Sequence, residues 1–179
     1  MEIREPKYKQ DFFNGVIQGD NVQCYKKLYK DISVAYDSKD NSLDENTEMY
    51  EVYSFDEGGE NTILWGLTIL HPITVNGECN LTRGHFHEDR KEPEIYFGLG
   101  GNGLLLYMNN TGECFAEKVS KGSIHYIDGE YAHRLINTGD TDFRVGAAWR
   151  KAAGHNYKAI ENKSFPYRVY KVHGEIIVK

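Results

Sequence analysis

Three histidines and one glutamate are spaced so that they could hold a single metal ion. His85 and His87 lie in Gly84-His85-Phe86-His87, Glu94 follows seven residues later, and His133 sits in a Gly-rich segment running from Gly122 to Asn137. In an extended strand successive side chains alternate between faces, so His85 and His87 share one face and can grip one ion together. Glu94 follows the polar turn Glu88-Asp89-Arg90-Lys91-Glu92-Pro93 and opens the apolar run to Leu99, which places it on the next strand. His133 begins a later strand, Arg134 to Asn137, and must reach the same point from across a barrel. Three neutral nitrogens and one anionic oxygen suit Fe, Mn, Ni, Co or Zn and fit Mg or Ca poorly. Of the other histidines, His71 beside Pro72 reads as a strand end, His125 as a strand residue and His173 as a turn residue.

The elements that must position these ligands are short strands. A share of 13% aromatic residues, thirteen of them tyrosine, favours β-structure, because aromatic side chains fit a pleated, half-buried surface. From Met49 onward, apolar and β-branched runs alternate with breakers such as Glu57-Gly58-Gly59, Gly100-Gly101-Asn102-Gly103 and Asp128-Gly129, the pattern of an antiparallel sandwich or barrel. Residues 1 to 48 are polar and weakly periodic, with a short helix expected around Val22 to Tyr29. They read as an N-terminal extension wrapping a core formed by residues 49 to 179, the whole forming one domain.

A length of 179 residues with 40% hydrophobic content is enough for a good core, and a net charge near −6 lacks the basic stripe that nucleic-acid binding requires. The N-terminus has no apolar signal region, and no run of eighteen apolar residues occurs, so neither secretion nor membrane insertion is expected. Cys24, Cys79 and Cys114 are odd in number, widely spaced and form no Cys-x-x-Cys, which fits reduced thiols in the cytoplasm.

These residues resemble the cupin superfamily, whose small jelly-roll β-barrel holds a metal through two short motifs. Gly122, His133 and Asn137 match the second motif in spacing, with Asp128 and Glu130 where Pro and Gly are usual. The first motif, Thr82-Arg83-Gly84-His85-Phe86-His87 with Glu94-Ile95-Tyr96, is similar to that of the cupin-type glucose-6-phosphate isomerases of archaea and some bacteria. Further matches, among them Glu51-Val52-Tyr53, Thr68 to Pro72 and Ala153-Gly154-His155-Asn156-Tyr157, extend the resemblance over residues 13 to 160 or so. It implies an all-β cupin barrel, a homodimer, one divalent transition metal per chain with Fe foremost, and isomerisation of glucose 6-phosphate and fructose 6-phosphate. Carried over position by position, it makes His85, His87, Glu94 and His133 the metal ligands. Thr68, Thr82 and Gly84 would hold the phosphate, with Tyr96 and His155 lining the sugar. One substrate contact departs from the pattern: Trp149 stands where the family commonly has tyrosine, and an indole N–H donates a hydrogen bond but carries no hydroxyl.

The chemistry of the residues agrees with that reaction. Isomerisation opens the sugar ring, moves a hydrogen between C2 and C1 and builds charge on oxygen. A divalent ion polarises those oxygens, and a carboxylate within reach of C2 supplies a base. Glu94 could be that base, although coordination to a dication weakens it, so it acts through a loosely held oxygen or the reaction runs as a hydride shift. His155 could carry the ring-opening proton near neutral pH. Arg83, Arg90 and Lys91 are further candidates for the phosphate. Two other classes are alternatives, a metal-dependent dioxygenase, which uses the same ligand set, and a non-catalytic sugar-binding cupin, a class that often loses ligands whereas all four are present here; mannose 6-phosphate is an alternative isomerase substrate.

Overall fold

The fold was obtained as a computed structural model that describes residues 1–161 and 164–179. Fifteen strands follow the chain: β1 (Tyr8–Gln10), β2 (Ile17–Gly19), β3 (Gln23–Leu28), β4 (Glu48–Phe55), β5 (Ile63–Leu70), β6 (Thr74–Val75), β7 (Glu78–Cys79) and β8 (Glu94–Gly100), then β9 (Asn102–Met108), β10 (Cys114–Ser120), β11 (Ile124–Ile127), β12 (Ala132–Asn137), β13 (Phe143–Arg150), β14 (Val169–Val172) and β15 (Glu175–Val178). Two four-residue helices, α1 (Tyr29–Ile32) and α2 (Lys158–Glu161), interrupt them.

One wall is the six-stranded sheet β11-β8-β13-β5-β4-β3, and the other joins β10-β9-β12 with β15-β14-β7-β6, all paired antiparallel. Period-2 alternation sends Leu70, Leu105, Tyr107, Ile136 and Phe143 into the space between the walls. A fully buried side chain of the Leu or Phe class contributes about 1.5–3 kcal/mol relative to leaving it in water. The expected all-β jelly-roll barrel is therefore the observed fold. On the outer face of the large sheet a second, smaller cluster forms where Ile17 packs with Leu67 and Ile69. β12 is buried along its whole length, so its polar residues need internal partners. Asn137 finds them by donating from Nδ2 to the carbonyls of Leu70 (2.8 Å) and Thr141 (3.0 Å). Arg134 donates to the Arg83 carbonyl at 2.6 Å and lies over the Phe165 ring.

Two expectations about local structure are corrected. The segment around Val22 to Tyr29 is not a helix: Gln23–Leu28 is an edge strand on β4, and helix begins only at Tyr29, with the single turn Tyr29–Ile32 followed by a 3-10 turn at Ser33–Ala35. Gln-Cys-Tyr-Lys-Lys-Leu has no apolar face at helical spacing, and alternation instead pairs Tyr25 and Lys27 on one side against Cys24 and Lys26 on the other. The stretch Thr82 to His87 is extended but is not a regular strand. It makes isolated bridges, His85 to His133 and Phe86 to Asn156, because Gly84 turns the backbone into the left-handed region at φ +77°.

His71 ties the end of β5 to β4 and to the turn before β13. Its Nδ1 lies 2.9 Å from Asp142 and its Nε2 3.3 Å from Glu48, which also pairs with Lys26 at 2.6 Å. Burial by itself would lower the His71 pKa, but hydrogen bonds to Asp142 and Glu48 outweigh it and hold the imidazolium above its ordinary value. A raised folded-state pKa contributes stability that is complete below the unfolded value near 6.5 and is lost as pH rises through the folded value. His71→Gln is thus expected to cost about 1 kcal/mol in urea unfolding at pH 6 and clearly less at pH 9. An equal cost at both pH values would contradict the charged clamp.

Candidate active site

His85, His87, Glu94 and His133 converge, with their ligand atoms all within 4.8 Å of one another. The backbone explains how. The bridge between His85 and His133 sets the two residues side by side, with the His85 amide donating to the His133 carbonyl and the His133 amide to the His85 carbonyl. Glu94 opens β8, next to Trp149 of β13. The ring centroids of His85 and His133 are 4.5 Å apart and those of His87 and His133 5.3 Å.

The donor set fits a bound cation, which a backbone carbonyl near His87 makes plain. Nδ1 of His87 is 2.7 Å from the Glu92 carbonyl oxygen, which can only accept, so Nδ1 carries a proton. A neutral His87 then turns its Nε2 lone pair toward Glu94 Oε2, 3.2 Å away, and His133 Nε2 stands at 3.2 Å from that same oxygen. Lone pairs facing a carboxylate require a proton or a metal ion between them. Nε2 of His85 is buried without a hydrogen-bond partner, and a metal would satisfy it.

Electrostatics point the same way. Burial and the neighbouring imidazoles of His133, His155 and His87 hold His85 well below the ordinary histidine range, hence neutral and able to donate its lone pair. Burial would raise the Glu94 pKa, but the hydrogen bonds with His133 and His87 more than offset it and keep the carboxylate ionised. His85 and Glu94 therefore rest in the protonation states that metal binding needs.

A pocket opens above the cluster. His85, Glu94 and His133 line it while His87 lies behind, and Thr68, Thr82, Gly84, Tyr96, Trp149 and His155 all line this same space. Thr82 is anchored twice to Leu135 of β12: its amide donates to the Leu135 carbonyl and its Oγ1 accepts from the Leu135 amide at 3.0 Å. Its hydroxyl proton is thereby directed to a further acceptor. Gly84 is also required by packing. A Cβ there would lie 2.9 Å from the Phe165 ring and 3.0 Å from the His133 carbonyl oxygen, so the missing side chain lets the metal-binding segment lie against β12. Trp149 lies across Gly66, where a Cβ would meet its ring at 3.0 Å, and its ring centroid is 6.3 Å from that of His155.

His155 is at the mouth, its ring 4.4 Å from that of His85 and stacked on Tyr157 at 5.9 Å. Partial burial holds its pKa below the ordinary value, which leaves it mainly neutral at pH 7 and able to accept a proton. Its loop is fastened to the metal-binding segment by the Ala153 carbonyl, which accepts from the Glu88 amide at 2.7 Å. Burial keeps the phenol of Tyr96 well above its ordinary pKa and pushes Tyr157 up to about 12, so both remain neutral donors.

Arg83 lines the pocket, but Arg90 and Lys91 are not among its lining residues. The turn carries the Arg90 guanidinium over the outer side of Phe86, 3.7 Å from its centroid, and toward the Glu130 carbonyl. Tyr25, Lys27, Tyr50 and Tyr157 are among the lining residues that had no role assigned from the sequence. The helical reading of Val22 to Tyr29 hid the first two, whose strand alternation was the available signal.

A family model described as glucose-6-phosphate isomerase (GPI) matches residues 22–178. The glucose-6-phosphate isomerase of Pyrococcus horikoshii is 35% identical, with 95% of this chain and 92% of that protein covered. The enzyme of that name from Thermococcus litoralis is 33% identical, with 100% and 96% covered. Among solved structures, a deletion mutant of Bacillus subtilis oxalate decarboxylase OxdC is similar at a TM-score of 0.48 and 20% identity, covering 61% of this chain and 28% of that one.

Proposed function

This chain belongs to the glucose-6-phosphate isomerase family, and from that premise we propose how its pocket carries out the reaction. The activity is the interconversion of glucose 6-phosphate and fructose 6-phosphate. The observation that supports the reading below is the convergence of four metal-ligand atoms beneath a pocket lined by hydroxyl donors.

His85, His87, Glu94 and His133 would hold one divalent transition metal, Fe foremost, with Mn, Ni, Co or Zn as alternatives. When bound, that ion supplies the Lewis acid for the C1 and C2 oxygens of the sugar. Glu94 meets both histidines through Oε2, which leaves Oε1 as the oxygen to take the C2 proton and return it to C1. His155, neutral and at the mouth, accepts and returns the ring-opening proton. Tyr96 donates to a sugar hydroxyl as a neutral phenol, and Trp149 closes one side of the ring with its indole face. Thr68, Thr82 and the Gly84 backbone hold the phosphate, with the Thr82 hydroxyl already oriented by Leu135.

The test is a coupled assay of the metal-loaded protein on glucose 6-phosphate, mannose 6-phosphate and glucose. Hydrogen bonds to a charged group are worth about 1.5–3 kcal/mol each. Binding energy from the non-reacting phosphate orients the sugar for reaction, so glucose loses rate as well as affinity. The expected advantage of glucose 6-phosphate over glucose in kcat/KM is at least about a hundredfold, roughly 2.7 kcal/mol. Thr82→Ala is expected to raise the KM for the phosphosugar and leave the metal content unchanged. Equal kcat/KM for glucose and glucose 6-phosphate would remove the phosphosugar assignment.

The working form is proposed to be a cytoplasmic homodimer. On the outer face of the large sheet Tyr126 lies opposite Ile95 and Ile124 opposite Phe97, and Ile124 and Tyr126 are 71% and 66% exposed, an apolar patch suited to a second copy. Light scattering at micromolar concentration distinguishes dimer from monomer.

A further inference from the structure

A phosphosugar brings two negative charges into a chain whose net charge is already −6, beside the ionised Glu94, and the hydroxyls described above carry no positive charge. Two cations line the pocket, Arg83 and Lys27. The Arg83 guanidinium is paired with the Glu161 carboxylate and lies 5.3 Å above the Tyr157 ring, so its charge is compensated within the protein.

Lys27 is arranged differently. It is half-buried on the edge strand β3, and alternation separates it from Lys26, which turns to the opposite face and pairs with Glu48 at 2.6 Å. Lys27 has no carboxylate within ion-pair distance among the described residues, and its ammonium lies 5.8 Å from the centroid of the Tyr25 ring. Its partner across the strand pair is Tyr50, whose hydroxyl lies beside the Arg83 backbone. Lys27 thus stands on the same side of the pocket as the Thr82-Arg83-Gly84 segment. A long, flexible side chain ending in a compact point charge suits a phosphate whose orientation is set by other donors.

We propose that Lys27 is a specificity-determining residue that neutralises the substrate phosphate, so that the N-terminal strand β3 completes the phosphate site. This rests on the phosphosugar reading of the pocket. Lys27→Met keeps the apolar stem and removes the charge, and Lys27→Arg keeps the charge. For Lys27→Met the KM for glucose 6-phosphate rises at least tenfold with kcat within about twofold of wild type. Inhibition by inorganic phosphate weakens by a similar factor, while metal content and thermal unfolding are unchanged. Lys27→Arg restores most of the affinity.

Inorganic phosphate binding, measured by calorimetry, separates this proposal from the reading beneath it. Wild-type protein that binds phosphate but does not turn over glucose 6-phosphate overturns the isomerase reading, whereas Lys27 is still judged on the loss of phosphate binding in Lys27→Met. Unchanged KM and phosphate binding in Lys27→Met overturns the role of Lys27. So does a matching loss in Arg83→Met alone, which would give the phosphate to Arg83.

Discussion

Replacing His87 by alanine is expected to abolish metal retention and to lower kcat by at least about a thousandfold. His87 contributes one of four converging ligand atoms and is buried behind the pocket. Its Nδ1 is committed to the Glu92 carbonyl, so the ring is held with Nε2 toward the cluster, and such orienting contacts fix both tautomer and basicity. The substitution removes the nitrogen and opens a cavity beside Glu94. A Lewis acid supplies several kcal/mol of transition-state stabilisation, and about 4 kcal/mol corresponds to three powers of ten in rate. The measurements are elemental analysis of the purified variant and the coupled isomerase assay. Treatment of wild type with excess chelator is expected to reproduce the loss, with recovery on adding a divalent transition metal. Full activity of metal-free protein would overturn the site.

Glu94→Gln separates binding from chemistry at a position that does both. The amide is nearly isosteric and keeps one coordinating oxygen, so part of the metal is expected to remain while kcat falls by about a hundredfold or more, the range of a lost general base. The loss persists when the assay is saturated with metal, which distinguishes it from His87→Ala. The buried position adds a folding effect: hydrogen bonds with His133 and His87 hold the Glu94 pKa below its ordinary value, so the ionised carboxylate stabilises the fold at neutral pH and glutamine removes that contribution. Glu94→Gln without metal is therefore expected to unfold at neutral pH at a lower temperature than the wild-type apoprotein. Unimpaired turnover in this variant would take Glu94 out of the proton transfer and favour a hydride shift.

The strands β4, β5 and β8 to β13 were legible because their patterns are local, whereas the two-residue strands β6 and β7 were not. Glu48–Phe55, Ile63–Leu70 and Phe143–Arg150 carry β-branched and aromatic residues between Gly and Asp turns, and each ended within a residue or two of its breaker. The segment 23–28 was not legible, since an edge strand with one face in solvent and four exposed residues carries no apolar signature. Arg90 and Lys91 sit close to the metal ligands in the chain, yet the direction of the turn between His87 and Glu94 is set by the packing of Arg90 on Phe86.

Which four residues form the candidate metal cluster was legible in the sequence by itself, because His-x-His, a carboxylate opening a strand and a histidine near the start of another are defined by short-range spacing. What only the tertiary structure decided was which groups share the pocket with it. Thr68 on β5, Trp149 on β13 and Lys27 on β3 come together because the six-stranded sheet brings antiparallel neighbours into register and curls their common face around one space. Register between strands far apart in the chain is chosen by burying one complete face at once. No local window carries that information, and for the same reason the glycine at 84 could be recognised from the sequence while the Phe165 and His133 contacts that require it could not.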